Sequence, residues 1–79
     1  MNDPKRRPLP GATVLLEDLP SGLLDGLPLE DQQAISAVVG KAVVLTEYDD
    51  IGRAELQFTD SRGHIHFIYV SPACIQAID

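Results

Sequence analysis

The chain has 79 residues, enough for one domain, and a domain this short buries only about 60% of the surface its unfolded form exposes. Its formal charge is −6; without residues 1–7, three basic residues stand against eleven acidic ones, and a body of −8 repels phosphate, so no nucleic-acid partner is expected of it. A single cysteine excludes an internal disulfide, and no apolar run reaches signal-peptide or membrane-spanning length, so a cytoplasmic protein with no membrane contact is expected.

Residues 1–10 hold three prolines and no apolar periodicity, and they read as a disordered N-terminal arm before a domain over 11–79. The arm carries Lys5, Arg6 and Arg7, half of the basic residues, and its RRPLP stretch has the form of a polyproline-type ligand. ATVLLED (12–18) predicts a first strand with Val14 and Leu16 on one face, ended by Pro20. LPSGLLDGL (19–27) is a loop with more leucine than a solvated loop needs. PLEDQQAISAVVG (28–40) predicts a helix with Pro28 in its first position, Glu30 and Asp31 at the positive end of its dipole, and Gly40 as a left-handed C-terminal cap. Ala34, Ile35 and Val38 form its apolar stripe, in line with Leu27.

Three strands follow, over 41–49, 53–60 and 64–70. In the second, Ala54, Leu56 and Phe58 alternate with Glu55, Gln57 and Thr59, which fixes its inward face. DDIG (49–52) and DSRG (60–63) each run from Asp to Gly in four residues, the pattern of a type I turn closed by a left-handed glycine, so the three strands form an antiparallel meander. In the third, Ile65/Phe67/Tyr69 make one row and His64/His66/Ile68/Val70 the other, both largely apolar from residue 67 on, and such a strand is expected to have one face in the core and the other against the helix or loop. Ser71-Pro72 then predicts a single tight turn before a last short strand at 75–78.

This order, with Gly11, Val14 and Leu16 at the opening, Val39-Gly40-Lys41 before the meander and Val70-x-Pro72-x-x-Ile75 at the end, resembles the small SH3-like barrel. It is similar in particular to small bacterial SH3-like proteins of unassigned role. The resemblance implies a mainly β fold: a five-stranded SH3-like barrel with one short α-helix inserted in the loop after strand 1. Members of this fold serve as peptide-binding, RNA-binding, chromatin-reading and enzyme-accessory modules. The peptide binders hold polyproline with clustered surface aromatics, usually including Trp; this chain has no Trp, and no binding residues carry over from them.

Four constellations bear on chemistry. His64-x-His66 places two imidazoles on one face of a strand, and with Cys74 and an acid such as Asp60 they offer a metal or redox site, though without ligand spacing that marks zinc. Cys74 near His66 is a nucleophile only if its pKa is lowered, and SPACI reads instead as a small buried cysteine. Glu47, Asp49 and Asp50 crowd one hairpin, with Glu17 and Asp18 ending the first strand; they read as turn formers or as an acidic face for a basic partner. Leu19, Leu23, Leu24, Leu27 and Leu29 exceed what one short helix can use, and they either cap the barrel or form a protein contact. No catalytic set and no cofactor fingerprint emerges, and no catalytic residue, cofactor or metal is expected. The sequence thus reads as a non-enzymatic interaction or accessory module, monomer or weak homodimer. Its candidate contact surface is Leu19, Leu23, Leu24, Leu27, Glu47, Asp49 and Asp50. The alternatives are a nucleic-acid-associated barrel using the basic arm and a metal or redox site at His64, His66 and Cys74.

Overall fold

A computed structural model describes residues 7–78. Lys5 and Arg6 of the basic arm lie outside the described residues. The elements are β1 (Thr13–Leu16), α1 (Leu29–Ala37), β2 (Ala42–Tyr48), β3 (Ala54–Thr59), β4 (Ile65–Val70), a 3₁₀ turn (Pro72–Cys74) and β5 (Ile75–Ala77). Every strand forecast from sequence is present, and the meander is real: β2 pairs with β3, and β3 with β4, both antiparallel.

The strand order is β4-β3-β2-β1-β5, with β1 also antiparallel to both of its neighbours. The sheet is mainly β in class but it does not close: β4 and β5 are its two ends. Closure into a barrel, expected from the resemblance, is therefore not what the pairing shows.

Alternation sorts the side chains. Val14 and Leu16 of β1, Val43 and Leu45 of β2, Ala54, Leu56 and Phe58 of β3, and Ile68 and Val70 of β4 all point to one buried side. Ile35 of α1 and Ile75 of β5 complete the core. The inward face of β2, apolar on both sides in sequence, is thereby decided: Val43 and Leu45 are buried, Ala42 and Val44 exposed. β2 slips by one residue between Leu45 and Glu47. Thr46 sits at this bulge, and its hydroxyl donates to the Glu55 carbonyl (3.2 Å) and carboxylate (2.5 Å).

The helix differs from expectation at both ends. Pro28 precedes it, extended (φ −54°, ψ 148°), and α1 starts at Leu29. It stops at Ala37, because the next three residues turn and the Gly40 amide bonds the Leu16 carbonyl (2.7 Å), steering the chain into β2. Gly40 does take a positive φ (84°). No side chain caps the helix start, but Gln32 Nε2 reaches back to the Leu27 carbonyl (2.8 Å). Ile35 is buried, Ala34 and Val38 pack on the core, and Leu29 is exposed.

One expectation about β4 is overturned. Its second apolar row was to lie against the helix or loop, yet Ile65 (58%), Phe67 (56%) and Tyr69 (38%) are exposed. The reason is supply: the described residues hold one short helix and one leucine loop, and both pack against the core. Among the described residues nothing remains to cover the outer side.

Candidate functional site

The polar groups of β4 are held by the turn that precedes it. In DSRG, the Asp60 carboxylate accepts from the amides of Arg62 (2.8 Å) and His64 (2.9 Å), and it bonds the His66 ring at Nε2 (2.8 Å). Gly63 (φ 85°) closes the turn in a conformation that a residue with a Cβ rarely takes. The His66 ring also stacks on Phe58, its cross-strand neighbour, with centroids 5.1 Å apart. The His66 bond, followed by the amide bonds, outweighs partial desolvation and holds the Asp60 carboxyl well below the usual carboxylate range. Asp60 and His66 are therefore a turn lock, one that spends the carboxylate on fixing the β3–β4 hairpin.

The β2–β3 turn repeats the device. Asp49 accepts from the amides of Ile51 (3.1 Å) and Arg53 (2.7 Å) and from the Arg53 side chain (2.6 Å), while Gly52 (φ 86°) closes it. Desolvation opposes ionisation here, but the bonds to Arg53 prevail and keep this carboxyl below its ordinary value. Asp49 was expected as turn former or acidic contact, and the turn occupies it. Glu47 and Asp50 beside it are exposed.

The three members of the alternative metal or redox set have different settings. His64 is exposed, with Nδ1 3.8 Å from Asp60, and His66 is bonded to Asp60. Cys74 lies in the 3₁₀ turn and packs on the core, where desolvation, then the charge of Asp18, pushes its thiol up, away from a reactive thiolate. Among the described residues, no three His, Cys, Asp or Glu side chains are grouped so as to hold a metal ion.

The leucines of the loop are half-buried. Leu19, Leu23, Leu24 and Leu27 all pack against the core cluster. They still show part of their surface, and Leu23 and Leu27 form one wall of an open groove of about 320 Å³ whose other wall is β4 at Phe67, Ile68 and Tyr69. Asp31, Arg53 and His66 supply its polar points. Tyr69 is fixed from two sides: its hydroxyl donates to Glu55 (2.7 Å), and the Arg53 guanidinium lies 5.0 Å over its ring. The Glu55 carboxylate, held by Thr46 and then by Tyr69, is lowered, and the same bond raises the Tyr69 hydroxyl.

A larger cleft of about 800 Å³ separates α1 from β2 and β3. An exposed Arg62–Glu30 pair (3.2 Å) spans its rim, an arrangement that contributes little energy. On another side of the molecule, the described end of the arm lies on Tyr48: the tyrosine hydroxyl donates to the Pro8 carbonyl (2.7 Å), and Arg7 lies 5.2 Å over the ring. Burial pushes the Tyr48 hydroxyl up, and Arg7 partly offsets this.

Compared with known proteins, the chain matches no family model, no curated protein and no solved structure. Among the described residues no helix is long and apolar enough to cross a membrane. Sequence reasoning named the loop leucines but missed their counterpart, the outward row Ile65, Phe67 and Tyr69. The signal was present: a last meander strand with two apolar faces, in a chain with cover for only one.

Proposed function

We propose that this protein is a small, non-catalytic, cytoplasmic interaction module of the SH3-like barrel type, and that it meets a protein partner through the groove between the loop leucines and β4. The strand order, the antiparallel meander and the 3₁₀ turn leading to a β5 that pairs with β1 support the fold part of this reading. One observation carries the function part: Phe67 and Tyr69, two of only four aromatics, stand exposed in file with Ile65 on one strand and line an open groove together with the half-buried Leu23 and Leu27. Aromatic and aliphatic side chains gathered beside a groove supply contact area of the kind protein interfaces use. Of the polar residues that offered chemistry in the sequence, Asp49, Asp60 and His66 are bound instead into turns.

The test uses the full chain as bait in an extract of its source cells, wild type beside Phe67→Lys. Phe67 is more than half exposed, so the variant folds, as its far-ultraviolet spectrum will verify. Proteins held by the wild type are expected to be lost or sharply reduced on the variant. Recovery of the same proteins at the same yield by both baits would reject the β4 groove as the contact surface.

A further inference from the structure

The geometry points to β4 as an edge through which two copies of this chain pair, antiparallel, about a two-fold axis at Phe67. This rests on the reading of β4 as a contact surface and adds the occupant.

The backbone argues first. The Asp60 amide bonds the His64 carbonyl (2.8 Å), which closes the hairpin and sets the phase of the ladder. From there the register runs without a shift through Phe58↔His66, Leu56↔Ile68 and Ala54↔Val70. Antiparallel ladders alternate, so His66, Ile68 and Val70 bond to β3, and Ile65, Phe67 and Tyr69 turn their N–H and C=O groups outward. The sheet ends at β4, and among the described residues no backbone bond from the loops or helix reaches those three. The residues with outward backbone groups are the same ones whose side chains are exposed.

Edges of this kind are normally guarded by charge, proline, a bulge or shortness. β5, at the other end of the sheet, is guarded by its length of three residues. β4 has six residues, IHFIYV, with no Lys, Arg, Asp, Glu or Pro and no bulge. An unguarded edge of this length in a functional protein is one that is covered.

Charge and register select a second copy as the cover. The chain carries −6, and an acidic protein that recruits a basic strand would be expected to line the edge with carboxylates. β4 has no charged residue of its own, and the charges held against Tyr69, Glu55 and Arg53, are one of each sign, so this strip is where two equally acidic copies meet with least repulsion. The apolar row is also symmetric about its centre. With the axis at Phe67, the two Phe67 side chains meet, and Ile65 of each copy opposes Tyr69 of the other, so all three outward residues pair and none is left over. A register centred on His66 would pair only Ile65 with Phe67 and leave Tyr69 opposite Gly63.

Sedimentation velocity on the full chain over a rising concentration series tests this, with wild type, Phe67→Lys and Val44→Lys. Val44 is exposed on β2, two strands in from the edge. Wild type and Val44→Lys should move from 8.6 kDa towards twice that mass, and Phe67→Lys should stay at 8.6 kDa throughout. A wild type that remains monomeric at every concentration, or a Phe67→Lys variant that dimerises like wild type, would overturn self-pairing. A monomeric wild type whose captured proteins are nonetheless lost in Phe67→Lys would remove the second copy while leaving the contact surface with a different protein. A dimer abolished by Phe67→Lys, with capture of other proteins unchanged, would support self-pairing and remove the groove as a site for other proteins.

Discussion

Leu56→Ala should destabilise the protein by about 3–4 kcal/mol, within the range for truncating a fully buried leucine. Leu56 has no exposed surface and stands in β3, opposite Leu45 on one side and Ile68 on the other, so no neighbouring strand can collapse into the space it leaves. A chain of this length has a total stability of roughly 4–12 kcal/mol, so the loss is a large share of it. In thermal unfolding the midpoint should fall by roughly 10–25 °C. Phe67→Ala removes a larger side chain from the adjacent strand, and it should change stability by less than about 1 kcal/mol because Phe67 is exposed. Urea titration of both variants checks the pair. Equal losses would mean that the inward and outward rows are wrongly assigned.

Asp60→Asn should remove much of the acid sensitivity of folding. The carboxylate accepts from His66 and from the amides of Arg62 and His64, and these bonds depress its pKa below the ordinary value of 3.8. A depressed carboxyl stabilises the fold fully above its unfolded pKa, and that stabilisation drains away as pH falls towards the folded value. The difference between wild type and Asp60→Asn should therefore be greatest near neutral pH, and it should shrink steadily below about pH 4. Asparagine keeps an oxygen for the Arg62 and His64 amides but brings no charge to them or to the His66 ring, so the charge-assisted bonds are lost and the variant is the weaker of the two at neutral pH. Denaturant titrations from neutral pH downward measure this. A stability difference that does not vary with pH would show that the ionised carboxylate is not what locks the turn.

The parts of this fold that were legible in the sequence are those governed by local rules. Asp49 with Gly52, and Asp60 with Gly63, announced their hairpins because a carboxylate that accepts turn amides and a residue that tolerates positive φ are both needed within four positions. The alternation of Ala54, Leu56 and Phe58 fixed the inward face of β3. Helix ends were displaced because the bond from Gly40 to Leu16 is a tertiary contact, invisible to capping rules. The two apolar faces of β4 were read as two buried faces. Periodicity reports which residues share a side, but whether that side is covered depends on how much other structure the chain can bring to it. The sheet closure implied by the resemblance depends on pairing between the first and last edges, and no local pattern encodes that. At the candidate site, His64, His66 and Cys74 drew attention as residue types, while the bonds of His66 to the preceding turn and the desolvation of Cys74 became visible only in three dimensions.

β4 is an open edge, paired with β3 alone. Amide hydrogen exchange resolved by residue, at a dilution where sedimentation shows a monomer, measures this directly. The amides of His66, Ile68 and Val70 should exchange slowly, and those of Ile65, Phe67 and Tyr69 fast, in strict alternation along the strand. Slow exchange at all six positions in the monomer would show a strand bonded on both sides, and would contradict the open edge.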